Sequence, residues 1–148
     1  VEAGMHVQTI LSSKGDSAVV TVKPDDAIAD VAQILAERRI GGVVVSTDGS
    51  DIVGILSERD IVRSLALRGA VCLSERAADM MTRNPTCCHR DDSAHNVLQR
   101  MTDGRFRHMP VVDEDRLVGI VTIGDVVKAR LQELSLEKDA LEGMVKGW

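Results

Sequence analysis

Gly54-Ile55-Leu56-Ser57-Glu58-Arg59-Asp60 decides the reading of this chain, because a later stretch repeats it: Gly119-Ile120-Val121-Thr122-Ile123-Gly124-Asp125. Each reads glycine, two aliphatics, a hydroxyl residue, two variable residues and Asp. Each follows a β-branched run and precedes a helical one. The pattern predicts a strand ending in a small hydroxyl side chain at a helix N-terminus, where unpaired backbone N–H groups attract anions. A carboxylate one turn further on makes this a place to hold a phosphorylated sugar. Taken singly, each Ser/Thr-x-x-Asp tetrad also reads as a capping box, the hydroxyl capping the helix and the acid reaching back. What sets this pair apart is the same glycine and the same strand before both copies.

Working outward, the order of elements recurs. A short helix is predicted over 6–13 and a strand over Ala18–Val22. A helix with Ile28, Val31, Ile34 and Leu35 on one face runs to about Arg39. Strands Ile40–Ser46 and Ile52–Leu56 flank the turn at Thr47-Asp48-Gly49-Ser50. A helix over Glu58–Leu67 is expected to turn Ile61, Val62 and Leu65 inward. After a short helix at Ala77–Met81, the series returns as strand Thr86–Cys88, helix Ala94–Asp103, strands Met109–Val112 and Leu117–Val121, and a helix starting near Asp125. Asp25, Asp26, Val31, Arg39 and Val45 fall on Asp91, Asp92, Val97, Arg105 and Val111, 66 positions later. Identities that keep register through two helices and three strands define an internal repeat. The expected divisions are repeat 1 over 5–68, a connecting segment over 69–85, the core of repeat 2 over 86–130 and a helical tail over 131–148. In the tail, Val127, Leu131, Leu134, Leu141 and Val145 recur at four- and three-residue steps, interrupted by Lys138. That spacing suits packing back onto the chain or a contact between two copies.

Composition removes several classes of function. The 148 residues are 44% hydrophobic, enough for a real core. Eighteen Lys and Arg against 23 Asp and Glu give a net charge of −5, which is not the footprint of a general nucleic-acid or anionic-membrane binder. Phe106 and Trp148 are the only aromatic residues, too few to stack a single strand of bases. A purine bound here would sit mostly between aliphatic walls. No run approaches the ~18 apolar residues of a membrane span, no signal peptide is evident, and the cytoplasm is the expected compartment. Cys72, Cys87 and Cys88 form no disulfide framework. Cys87, Cys88 and His89 alternate between strand faces, which suits packing rather than a shared metal. His6, His89, His95 and His108 are scattered and Ser57 has no neighbouring base, so no catalytic set and no metal site is expected.

The whole pattern resembles a tandem pair of cystathionine-β-synthase (CBS) domains, a Bateman module. The resemblance covers about residues 5–130. It rests on the repeat order, on Arg107-His108-Met109-Pro110-Val111-Val112-Asp113 and on the two Gly-to-Asp segments. Arg105-Phe106-Arg107-His108-Met109-Pro110 and Ile123-Gly124-Asp125-Val126-Val127-Lys128 are similar to small stand-alone bacterial members.

The resemblance implies an α/β (α+β) fold: two β-α-β-β-α repeats about a pseudo-two-fold axis, sheets inward and helices outside, assembled as a homodimer. It implies a non-catalytic regulatory module that binds adenosine-containing ligands, AMP, ATP, S-adenosylmethionine or NAD(H), in clefts between the repeats. Asp60 and Asp125 would take the ribose diol, since a carboxylate is acceptor-only with one oxygen for each hydroxyl. Ser57, Thr122, Arg59, Arg107 and His108 would meet phosphate or ribose oxygens. Thr21, Val22, Ile40 and Val43, with Thr86, Cys87, Met109 and Pro110, would line adenine slots. Gly54 and Gly119 would permit close approach of backbone or ligand. The first repeat departs from the pattern by placing Gly41-Gly42 where the second has Arg107-His108, so the clefts are expected to differ. Output would pass to a separate effector, for which plant single-pair relatives suggest a redox enzyme. The alternative is a dimeric scaffold whose clefts no longer bind.

Overall fold

In the computed structural model, residues 4–15 and 19–145 are described. The first half runs α1 (Val7–Ser13), β1 (Thr21–Val22), α2 (Ile28–Arg38), β2 (Gly42–Val45), β3 (Gly54–Ser57) and α3 (Glu58–Arg68). A 3-10 turn over Gly69–Ser74 leads to α4 (Ala77–Met80) and β4 (Thr82–Arg83). The second half continues with α5 (Ala94–Gly104), β5 (His108–Asp113), β6 (Arg116–Thr122) and the long α6 (Ile123–Val145). Ala18, at the start of the predicted first strand, Trp148 and the Val145 side chain lie outside the described residues.

The repeat is visible in the hydrogen bonding. β1 pairs parallel with β2, β2 antiparallel with β3, and β3 antiparallel with β4. In the second half β5 pairs antiparallel with β6. The first strand expected there, Thr86–Cys88, is reduced to one parallel bridge from Cys88 to Val111. Cys88 N–H donates to the Pro110 carbonyl and Val112 N–H to that of Cys88, both at 2.9 Å. The preceding Pro85 leaves little room for a longer ladder.

α2 and α5 explain themselves as amphipathic helices. Ile28, Val31 and Leu35 are buried on one, and Ala94, Val97 and Met101 on the other. Both end on an arginine in the left-handed region, Arg39 at φ 55° and Arg105 at φ 59°. Glycine would sit there without a Cβ penalty, so two arginines at equivalent places carry local strain.

The described residues form two hydrophobic cores, and each borrows from the other half. Val7 and Ile10 of α1 pack with Val97, Met101, Val111 and Val121 of the second half. Ala77 and Met81, which precede the second half, pack with Ile28, Val31, Val43 and Leu56 of the first. The backbone shows the same exchange. Val7 N–H donates to the Asp92 carbonyl at 2.9 Å, and Ala77 N–H to that of Asp26 at 2.8 Å. Chain order places α1 with repeat 1, whereas packing places it in the second core.

Gly54 is required by this arrangement. A Cβ there would lie 2.7 Å from the Thr82 carbonyl oxygen and 2.6 Å from the Met81 sulfur. The close approach is that of neighbouring protein, β4 against β3. A Cβ on Gly119 would lie 2.7 Å from the Leu11 side chain.

α3 buries Ile61 but leaves Val62 and Leu65 exposed, contrary to the expectation of three inward residues. Successive helical positions are 100° apart, and only one face of α3 meets the core. The first turns of α6 bury Val126 and Ala129, while Leu131, Leu134, Leu141 and Met144 remain exposed. Glu133 ties α6 to the exchanged segment: its carboxylate accepts from Met5 N–H at 2.7 Å and pairs with Arg130. Among the described residues, no helix is long and apolar enough to cross a membrane.

Candidate functional site: two clefts between the repeats

Both Gly-to-Asp segments form the predicted strand-to-helix corner, and both form the capping box. Ser57 N–H donates to Asp60 Oδ2 at 2.9 Å, and Asp60 N–H to Ser57 Oγ at 3.3 Å. Thr122 N–H donates to Asp125 Oδ2 at 2.9 Å, and Asp125 N–H to Thr122 Oγ1 at 3.1 Å. The cap uses only Oδ2 of each carboxylate, and no described residue donates to either Oδ1. Capping and ligand holding are therefore compatible. The first helical N–H of each corner bonds across the sheet, Glu58 to the Gly41 carbonyl at 2.9 Å and Ile123 to that of Arg107 at 2.8 Å.

Each corner faces a cleft whose opposite wall belongs to the other repeat. The first cleft encloses about 380 Å³ and joins Ser57, Arg59 and Asp60 to Thr86, Arg107 and His108. Arg63 and Arg105 add two further cations that the sequence reading missed. The second encloses about 400 Å³ and joins Gly119, Thr122 and His108 to Val19, Val20 and Ile40, with Lys14 and Arg39 as its cations. Asp125 is not itself in the lining but is bonded to Lys14 and Thr122, which are. Both volumes suit a small organic ligand. Arg39 and Arg105, the strained helix ends, thus contribute to one cleft each. Their identity at a position that favours glycine was the available sequence signal.

The residues expected at the adenine slots divide. Ile40 and Thr86 line the clefts. Val22, Val43 and Met109 instead point into the cores, with at most 3% exposure. β2 is buried along its whole length, so an apolar residue on it carries no sign of which side a cleft lies. Thr21 is half-buried beside Val44, and Pro110 is buried in β5. Neither lines a cleft. Cys87 also stands back, its Sγ 3.4 Å from the Pro85 carbonyl, and burial pushes its thiol pKa up.

His108 sits between the two clefts and explains Gly41-Gly42. Gly42 and His108 are equivalent positions of the repeat, and they touch. A Cβ on Gly42 would lie 3.0 Å from the imidazole. Equivalent residues meet only near the pseudo-two-fold axis, where two large side chains cannot both fit. Burial lowers the His108 pKa; Glu58 and Asp125 pull it up, Lys14 and Arg107 push it down, and the net shift is downward from 6.5. At neutral pH the ring is therefore an uncharged donor and acceptor rather than the second cation of a basic pair.

That shift predicts a pH dependence of folding. As pH falls below 6.5, the unfolded chain binds a proton at this site before the folded chain does. Stability contributed by the neutral ring is complete above 6.5 and is lost as pH drops through the folded value. Melting temperatures between pH 7.5 and 5 should fall for the native chain and fall less steeply for His108→Gln; parallel curves would refute it.

Asp125 differs from Asp60 in having a cation on it. Lys14 Nζ lies 2.8 Å from Asp125 Oδ2 and 3.0 Å from the Ile120 carbonyl. Burial pushes the Asp125 carboxyl up, but the Lys14 ammonium and the Thr122 N–H outweigh it and hold the pKa below the usual range.

A pair of clefts built from reciprocal corners, with an internal repeat behind it, can be compared directly with known proteins. A family model for the CBS domain matches residues 15–67 and 77–132. The chain belongs to the CBS-domain family. Over 99% of its length it is 31% identical to a mitochondrial CBS domain-containing protein of Arabidopsis thaliana, covering 76% of that relative. A CBS-domain containing protein from Agrobacterium tumefaciens superposes at a TM-score of 0.80 with 42% identity, over 85% of this chain and 99% of that one. A CBS domain protein from Pyrobaculum aerophilum, solved in complex with AMP, superposes at 0.77 with 27% identity, over 90% and 99% of the two chains. The CBS pair is thus shown in both fold and family, and the expected two-repeat α/β architecture holds.

Proposed function

We propose that this CBS pair is a non-catalytic sensor of adenosine nucleotides. One observation carries the reading: each cleft takes a strand-to-helix corner from one repeat, Ser57 with Asp60 in the first and Thr122 in the second, and its opposite wall from the other. A ligand seated there bridges the repeats, and it can bias a partner only through different affinities for two arrangements of them. AMP bound to the Pyrobaculum relative supports the ligand class. Asp60 and Asp125 take the ribose diol, Ser57 and Thr122 the adjoining oxygens, and Ile40 and Thr86 border the base.

The clefts carry different phosphate ends. Arg59, Arg63, Arg105 and Arg107 beside Asp60 suit a longer phosphate chain than Lys14 and Arg39 do. A mononucleotide in the second cleft and ATP or NAD(H) in the first fits that asymmetry. A carboxylate at the ribose repels a 2′-phosphate, which favours NAD over NADP. Exposed Val62 and Leu65 on α3, with Leu131 and Leu134 on α6, support a homodimer. A separate protein, a redox enzyme among the candidates, receives the output.

Thermal unfolding with AMP, ATP, NADH, NADPH and S-adenosylmethionine tests the reading. A ligand at 100 times its Kd should stabilise the fold by roughly 2.7 kcal/mol. If no adenosine compound moves the melting point, the constitutive scaffold replaces the sensor.

A further inference from the structure

The two corners are built alike, yet only one is occupied by the protein itself. Lys14 Nζ lies on the Asp125 carboxylate and on the Ile120 carbonyl, while no described Lys or Arg comes within ion-pair distance of Asp60. Lys14 is the C-cap of α1, its backbone N–H held by the Ile10 and Leu11 carbonyls at 3.2 Å. Because α1 packs into the second core, this anchor is fixed beside the second cleft and only the side chain is free to move. Its own exposure is 36%, against 24% for Asp125, so water reaches the pair and the bond is replaceable.

An ammonium is three donors and no acceptor, and here it takes the carboxylate oxygen that the cap also uses. A ribose diol approaching Asp125 must share that carboxylate with Lys14 or displace it. A neutral nucleoside has nothing to offer the released cation. A 5′-phosphate does, and a flexible four-carbon stem is able to transfer the ammonium from one anion to the other within the cleft. We propose that Lys14 is a specificity latch on the second cleft, closing the Asp125 corner to uncharged nucleosides and yielding to nucleotides that carry a phosphate. The latch rests on the nucleotide-binding reading of the cleft. It adds that the clefts differ in what they reject: Asp60 accepts a neutral adenosine, whereas Asp125 does not.

Calorimetric titration of AMP and adenosine into Asp60→Asn, which weakens the first cleft, and into Asp60→Asn with Lys14→Met, separates these ideas. Losing a charge-assisted contact to phosphate should weaken AMP about tenfold, and freeing Asp125 should tighten adenosine by about the same factor. The preference for AMP would then narrow by about 100-fold. Lys14→Arg, which keeps a cation, should retain the native preference. If both ligands bind and the AMP-to-adenosine ratio is the same with Met as with Lys, the latch is wrong and the nucleotide reading stands. If neither ligand binds either protein, both are wrong for this cleft.

Discussion

Ile10→Ala is expected to cost about 2–5 kcal/mol of folding stability, and the loss should register in the second repeat. Ile10 is 4% exposed and belongs to the cluster of Val97, Met101, Val111 and Val121, although it precedes every strand of the first repeat. Truncation leaves a cavity that α5 and the β5–β6 ladder line. Against a typical total of about 5–15 kcal/mol this is a large fraction. Amide hydrogen exchange locates it: protection on β5 and β6 should fall further than on β2 and β3. The reverse order would mean that α1 belongs to the first core in solution.

The second large effect concerns binding. Asp60→Asn should weaken adenosine nucleotides in the first cleft by about 10- to 150-fold, the equivalent of one charge-assisted hydrogen bond. The amide keeps one acceptor for the cap but presents a donor where the diol needs a second acceptor. Helix α3 should therefore survive, and the melting temperature without ligand should change little. Affinity measured by calorimetry, with the unliganded melt as control, separates the two roles of this residue. Unchanged affinity would remove Asp60 from the ribose.

The repeat, the order of its elements and the two corners were legible because they depend on periodicity and on residue types with narrow conformational uses. Ile28, Val31 and Leu35 announce a helix, and Gly54 through Asp60 announce a strand, a cap and a carboxylate. The exchange of α1 and α4 was not legible. It is carried by backbone bonds such as Val7 to Asp92 and Ala77 to Asp26, which any residue except proline could make. The clefts were half legible. Thr86 and Ile40 line them as expected, but on a strand buried along both faces the neighbours Val43 and Val44 look alike, and only the packing shows that Val43 is the one in the first core. Lys14 was invisible for a different reason: its partner Asp125 stands 111 positions away. Gly41-Gly42 read as a loss from the second repeat's pattern, and became an accommodation of His108 only once the two positions were seen to touch.

The reciprocal exchange of short helices also sets an order of events as the chain leaves the ribosome. α1 is made before the other described helices, but its core waits for Val126 and Ala129, far along the chain. At about 5–20 residues per second, its apolar face is without that core for on the order of 10 s. The first repeat's core, by contrast, is complete once Met81 has emerged. Newly made chains therefore hold a finished half that carries an unclaimed helix, and as the second halves follow, α1 meets a neighbouring chain's second core as readily as its own.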